Sequence, residues 1–210
     1  MKIVSLITAR GGSKGIPNKN TLEVNGKPLI NYTIQASKKS LVSETWVSTD
    51  SKEISKVALE CGAKVIPRPE YLADDVIMPD ASLVHFAENV DFDILVFIQP
   101  TSPLLESSFI NKGLEKIKEY DSVFSAYREH WLPRWFLDER PMNWNPVYRP
   151  RRQDMEDTFV ENGAFYITTR ASLLTSKLRY SGKIGIVEMP MSKSYQLDTY
   201  DDLEIIKKLL

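Results

Sequence analysis

Residues 3–8, Ile3-Val4-Ser5-Leu6-Ile7-Thr8, run directly into Ala9-Arg10-Gly11-Gly12-Ser13-Lys14-Gly15, with Pro17, Lys19 and Asn20 close behind. A short apolar run that stops at a glycine-rich turn reads as a strand buried on both faces. The glycines let the backbone approach a ligand closely and turn its amides inward as an anion nest. Arg10, Lys14 and Lys19 bring three positive charges into the same ten residues. That is the composition of a polyphosphate site, although a solvated turn can have it too. The glycine spacing is neither that of a Walker loop nor GxGxxG.

Outward from this stretch, further strands are predicted at Thr45–Ser48, Lys64–Pro67, Asp93–Ile98, Ser122–Ala126, Ala164–Thr168 and Ile184–Glu188. Helix-period segments separate several of them. Asp50 and Glu53 are spaced as a cap and box, Ile54, Val57, Ala58 and Cys61 share one face, and Gly62 stands where a C-terminal cap belongs. Leu83, Val84 and Ala87 follow Asp80, and Ile110, Leu114 and Ile117 follow Ser107. Thr199 caps a last helix carrying Leu203, Ile206 and Leu210, with Asp201 and Asp202 in its first turn, where the dipole favours negative charge. Strands alternating with helices imply right-handed crossovers, hence an α/β fold with a Rossmann-like, mostly parallel sheet flanked by helices. Ligands of such sheets bind beyond the carboxyl ends of the strands, so the segments after each strand carry the candidates.

The chain has 210 residues, 42% hydrophobic and 26% charged, with a formal net charge of −1, which suits a single domain over 1–210. One cysteine, Cys61, excludes an intrachain disulfide and a multi-thiolate zinc site; it reads as a buried thiol. A reducing cytoplasm is the expected compartment. No apolar run approaches the roughly 20 residues of a membrane span, and the N-terminal stretch lacks a signal-peptide cleavage site. Neither membrane nor nucleic acid is an expected partner, since a nucleic-acid binder would be broadly basic. His85 and His130 are too few and too scattered for a histidine-based site.

Periodicity fails between His130 and Asp157. Three of the four tryptophans (Trp131, Trp135, Trp144), four prolines and five arginines fall here. Loops longer than about 15 residues are uncommon unless they fold against something. Residues 130–157 therefore read as an inserted arm, serving homodimerisation or covering the active site as a flap; aromatics and arginine are enriched at interfaces.

The stretch ITARGGSKGIPNKN (residues 7–20) resembles the N-terminal signature of the acylneuraminate cytidylyltransferases. Five more segments follow in that family's order: Ser48-Thr49-Asp50, Arg68-Pro69, Gln99-Pro100-Thr101-Ser102-Pro103, Asn162-Gly163-Ala164 and Leu197-Asp198-Thr199. The resemblance spans nearly the whole chain. It implies a nucleotidyltransferase-type fold and Mg²⁺-dependent transfer of CMP from CTP to the anomeric hydroxyl of an acidic 2-keto sugar, with pyrophosphate leaving. It places Ala9, Arg10, Gly11, Gly12, Ser13, Lys14, Lys19, Asn20, Ser48, Asp50 and Arg68 on the nucleotide. Gln99, Thr101, Ser102, Arg152, Asn162 and Gly163 fall to the sugar, and Asp198 to the metal. Arg10, Lys19 and Asp198 carry the chemistry, because charge builds on the transferring phosphoryl and the pyrophosphate.

Each assignment has a rival. Asp50 is also a helix cap, Gln99 a turn residue, Arg68 a surface arginine and Asp198 an ordinary acid before a helix; Arg149 and Arg151 adjoin Arg152. The sialic acid branch has two aspartates two residues apart before its last helix, whereas here Gln196 holds the first position, leaving the second metal ligand open. An arginine often stands where this chain has Val160, and Glu161 adds negative charge nearby. These departures point to an altered acceptor, such as a legionaminic- or pseudaminic-type sugar. The alternatives are another acceptor (octulosonate or a phosphonate) or a non-catalytic nucleotide-binding module. A dinucleotide-dependent oxidoreductase is disfavoured by the missing GxGxxG.

Overall fold

The computed structural model describes every residue except Asp75. In chain order the elements are β1 (Ile3–Thr8), β2 (Glu23–Val24), β3 (Lys27–Pro28), α1 (Leu29–Lys38), β4 (Glu44–Thr49), α2 (Lys52–Glu60), β5 (Lys64–Pro67), α3 (Pro79–Asn89), β6 (Ile94–Ile98), α4 (Ser107–Lys116), β7 (Ser122–Glu129), β8 (Thr158–Thr169), α5 (Arg170–Ser176), β9 (Ile184–Glu188) and α6 (Tyr200–Leu209). Seven strands make one sheet in the order β5-β4-β1-β6-β8-β7-β9, and β2 pairs with β3 in a small hairpin. The pairs β1–β4, β1–β6, β4–β5 and β7–β9 are parallel. β8 runs antiparallel between β6 and β7.

β1 shows why the sheet lies between two layers. Val4 and Leu6 face a core closed by Leu83, Phe86 and Ala87 of α3 and Leu173 of α5. Ile3 and Ile7 face the opposite core, with Ile30 and Ile34 of α1, Ile54 and Ala58 of α2, and Ile110 and Leu114 of α4. A strand apolar on both faces needs both layers. A third cluster matters most for the site. Ile16, Val24, Leu29, Leu104, Leu197, Leu203 and Ile206 pack together, so the far end of the glycine loop and the residue before Asp198 are anchored in one apolar knot.

The sequence expectation does not contain α1, α5 or the β2–β3 hairpin, and α2 and β8 differ from it in detail. Ser51, not Asp50, caps α2, its Oγ accepting from Ile54 N–H at 3.4 Å. This frees the Asp50 carboxylate. β8 extends well beyond Ala164–Thr168, to twelve residues, and is irregular: Phe124 faces Tyr166 but Ala126 faces Glu161, so β8 carries extra residues at Asn162–Phe165. Cys61 is half-buried at the end of α2, where burial pushes its thiol pKa up.

Residues 130–157 emerge between β7 and β8 and make only two isolated bridges, Trp135 with Pro141 and Asn145 with Tyr148. Trp135 and Trp144 meet edge to face at 5.1 Å. Leu132, Trp135, Leu137, Met142, Val147 and Tyr148 are exposed. Among the described residues, no helix is long and apolar enough to cross a membrane.

Candidate active site

The strand order reverses between β1 and β6, and the site lies beyond their carboxyl ends, at the switch point. Parallel β1, β4, β5 and β6 deliver Arg10, Asp50, Arg68 and Gln99 to one edge of the sheet. Because β8 is antiparallel, it contributes its first half there, with Phe165 opposite Ile98.

A cavity of about 480 Å³ is lined by Thr8, Arg10, Ser13, Lys14, Gly15, Lys19, Asn20, Pro79, Phe97, Gln99, Pro100, Thr101 and Asp198. A smaller compartment of about 260 Å³ shares Thr8, Arg10 and Pro79 with it and adds Arg68, Leu72, Asp74, Ile77 and Ser82. The glycine loop is held from both sides. Gly11 N–H donates to Asp50 Oδ1 at 3.0 Å, which is the role the carboxylate takes once Ser51 caps the helix. Ala9 N–H donates to the Ser48 carbonyl at 2.9 Å. At Gly15 a Cβ would stand 2.6 Å from the Asp198 carbonyl oxygen, so only glycine permits this contact.

Asn18 takes a left-handed conformation (φ 51°) that asparagine tolerates well, and starts the single turn Lys19–Thr21. That turn aims two side chains at the cavity. Lys19 Nζ donates to Asp198 Oδ1 at 2.9 Å; the lysine side chain is 14% exposed and the aspartate 63%. The desolvated partner is the cation, and the carboxylate stays open to the cavity. Asn20 Nδ2 donates to the Arg10 carbonyl at 3.0 Å. Its Oδ1 is buried and accepts no hydrogen bond among the described residues, which marks a place for a ligand or solvent donor.

Arg68 is buried beneath this loop. Its Nε donates to Ser48 Oγ at 3.2 Å and its Nη2 to the Ser48 carbonyl at 2.7 Å. Burial pushes the guanidinium pKa down to about 10, against the opposing pull of Asp50 and with the help of Arg10. Arg68 thus floors the smaller compartment, and Ser48 is its anchor rather than a lining residue.

Asn162, Gly163 and Ser102 stand just behind the wall. Asn162 Oδ1 accepts from Ser125 Oγ at 2.6 Å and Ala164 N–H at 3.1 Å, while its Nδ2 donates to Ser194 Oγ at 2.9 Å. Ser102 is buried. Arg152 is placed apart. It faces a cavity of about 840 Å³ at the base of the arm with Arg128, His130, Gln153, Met155, Glu156 and Asp157, none of which lines the main cavity. Glu161 turns aside to accept a hydrogen bond from the Tyr166 hydroxyl; burial, then that carboxylate, raise the tyrosine's pKa.

Pro79, Phe97, Leu72, Ile77 and Ser82 join the site without any sequence signal. Phe97 stacks on Tyr166 at 5.6 Å. Arg179 lies over both rings and pairs with buried Asp80 at 2.5 Å. No group of three or more His, Cys, Asp or Glu side chains is arranged to hold a metal among the described residues. Among the described residues, Asp198 is the one carboxylate lining the main cavity.

The family model described as cytidylyltransferase matches residues 4–210. N-acylneuraminate cytidylyltransferase A of Danio rerio is 40% identical, covering 98% of this chain and 50% of its own length. Pseudaminic acid cytidylyltransferase of Campylobacter jejuni is 31% identical over 100% of this chain and 96% of its own. The chain thus spans about half the length of the first of these and nearly all of the second. In fold, it is similar to a CMP:2-keto-3-deoxy-manno-octonic acid synthetase complexed with CTP, at a TM-score of 0.78 and 20% identity, covering 100% of this chain and 98% of that one.

Proposed function

The chain belongs to the cytidylyltransferase family, and from that premise we propose that it transfers CMP from CTP to the anomeric hydroxyl of an acidic 2-keto sugar, releasing pyrophosphate. The observation that carries this reading is the gathering of Arg10, Lys14, Lys19 and Gly15 with Asp198 in one cavity at the switch point. A triphosphate lies along residues 9–20, and the smaller compartment over Arg68 takes the base. Asn20 Oδ1 accepts from a nucleotide hydroxyl. The acceptor enters on the Gln99–Thr101 side. Its hydroxyl oxygen, giving up its proton to solvent, forms a bond to the α-phosphorus as the bond from that phosphorus to the β-phosphate bridging oxygen breaks. Negative charge grows on the departing pyrophosphate, where Arg10, Lys14 and Lys19 stabilise it.

One carboxylate with substrate phosphates is an oxygen donor set that suits Mg²⁺. Asp198 would hold the ion, which supplies charge neutralisation on the phosphates. Lys19 passes from the carboxylate to a phosphate when the nucleotide arrives. The other proposed parts follow the same reading: a homodimer formed through residues 130–157, and action in the cytoplasm. Arg152, remote from the cavity of its own chain, faces an acceptor only if a partner's arm brings it there.

The acceptor is a nonulosonic acid, and the test is pyrophosphate release from CTP and Mg²⁺ with N-acetylneuraminate, a legionaminic acid, a pseudaminic acid and 3-deoxy-manno-octulosonate. Release with one of the first three is expected. Release only with the octulosonate would reassign the acceptor, and silence with all four while CTP binds would leave a binding module.

A further inference from the structure

The side-chain amide of Gln196 lies between the two segments that wall the acceptor side of the cavity. Its Nε2 donates to the Asn162 carbonyl, and its Oε1 accepts from Thr101 Oγ1 at 3.3 Å. The next residue reinforces the Thr101 end alone, Leu197 N–H donating to the Thr101 carbonyl at 2.8 Å. The bulge end of this bridge is rigid because Asn162 is held by Ser125, Ala164 and Ser194. Gly163 sits at φ +68°, where a Cβ would collide with Gln196 Nε2 and stand 3.1 Å from Gln99 Oε1. Gln99 and Thr101 line the cavity, and Gln196 lies behind them.

We propose that Gln196 is a positioning residue for the acceptor, a neutral clasp that fixes Gln99 and Thr101 against the β8 bulge. The inference rests on the transfer reading above. The amide offers a donor toward the Asn162 carbonyl together with an acceptor toward the Thr101 hydroxyl; a carboxylate would set a negative charge against a carbonyl oxygen. A role in lending Oε1 to the metal makes different forecasts.

The test uses Gln196→Glu, which keeps the shape, beside Gln196→Ala. Both variants are expected to raise the acceptor KM by about tenfold, the scale of one lost hydrogen bond. CTP affinity by calorimetry and the Mg²⁺ midpoint should stay at the wild-type values. An unchanged acceptor KM in Gln196→Glu, or a shifted Mg²⁺ midpoint, would overturn the proposal. Hydrogen exchange judges the clasp independently of turnover. Peptides covering 99–103 and 160–165 should exchange faster in Gln196→Glu while 9–20 is unaffected, and equal protection would contradict it. A wild-type protein silent with every acceptor would instead refute the transfer reading.

Discussion

Gly15 and Lys19 show how much of the site depends on single atoms near Asp198. Gly15 admits the Asp198 backbone because it has no Cβ, and Lys19 neutralises the same residue's carboxylate. Removing the lysine leaves the loop's anchors at Asp50 and Ser48 intact. Lys19→Ala should therefore cost about 2–4 kcal/mol of transition-state stabilisation, read as a fall in kcat/KM in a variant that melts as the wild type does. Near-normal turnover would remove Lys19 from the chemistry. Arg10, Lys14, Lys19, Asn20 and Asp198 were legible because they sit in ordered motifs at strand ends. Direction was not. The sequence offered Asp50 as a cap, and a neighbouring serine took that role, a choice settled by one residue of helix phase. Arg68 reads as an arginine, but only the fold turns it inward onto Ser48.

At the scale of elements, α6 shows a cap that pattern alone could find. Thr199 Oγ1 accepts from Asp202 N–H at 3.2 Å, and Asp202 Oδ2 accepts from Thr199 N–H at 2.8 Å. Burial would raise the Asp202 pKa, but its bonds from Thr199 and Asp198 outweigh this and hold it below the usual range. A carboxylate lowered in the folded state contributes stability above its unfolded pKa and loses it as the pH falls through the folded one. Asp202→Ala should thus cost about 1 kcal/mol at neutral pH, with the gap in urea midpoint closing in acid; a gap independent of pH would place the effect elsewhere. Other elements were hidden. α1 carries Asn31, Thr33 and Ile34 and begins after Pro28, which gives weak helical propensity. The β8 bulge breaks the alternation that marks a strand, and its exposed first residues carry no apolar face.

For the whole molecule, composition and alternation sufficed for an α/β sheet, while the antiparallel insertion of β8 required tertiary pairing. The irregular course of residues 130–157 goes with the loss of period in the sequence, and several of its apolar side chains find little to cover them within the chain. A second copy is the partner we propose. Light scattering should give twice the 24.0 kDa of one chain, and replacing Trp135, Leu137 and Val147 by serine should give single chains that still bind CTP. A wild-type monomer at working concentration would exclude the arm as a dimer surface. Transfer of CMP from the switch-point cavity is read out by ³¹P NMR of CTP, Mg²⁺ and a nonulosonic acid with the wild-type protein. The three triphosphate resonances should disappear with matched growth of one phosphodiester signal and pyrophosphate. Persistence of intact CTP, or hydrolysis to CMP without a phosphodiester, would contradict it.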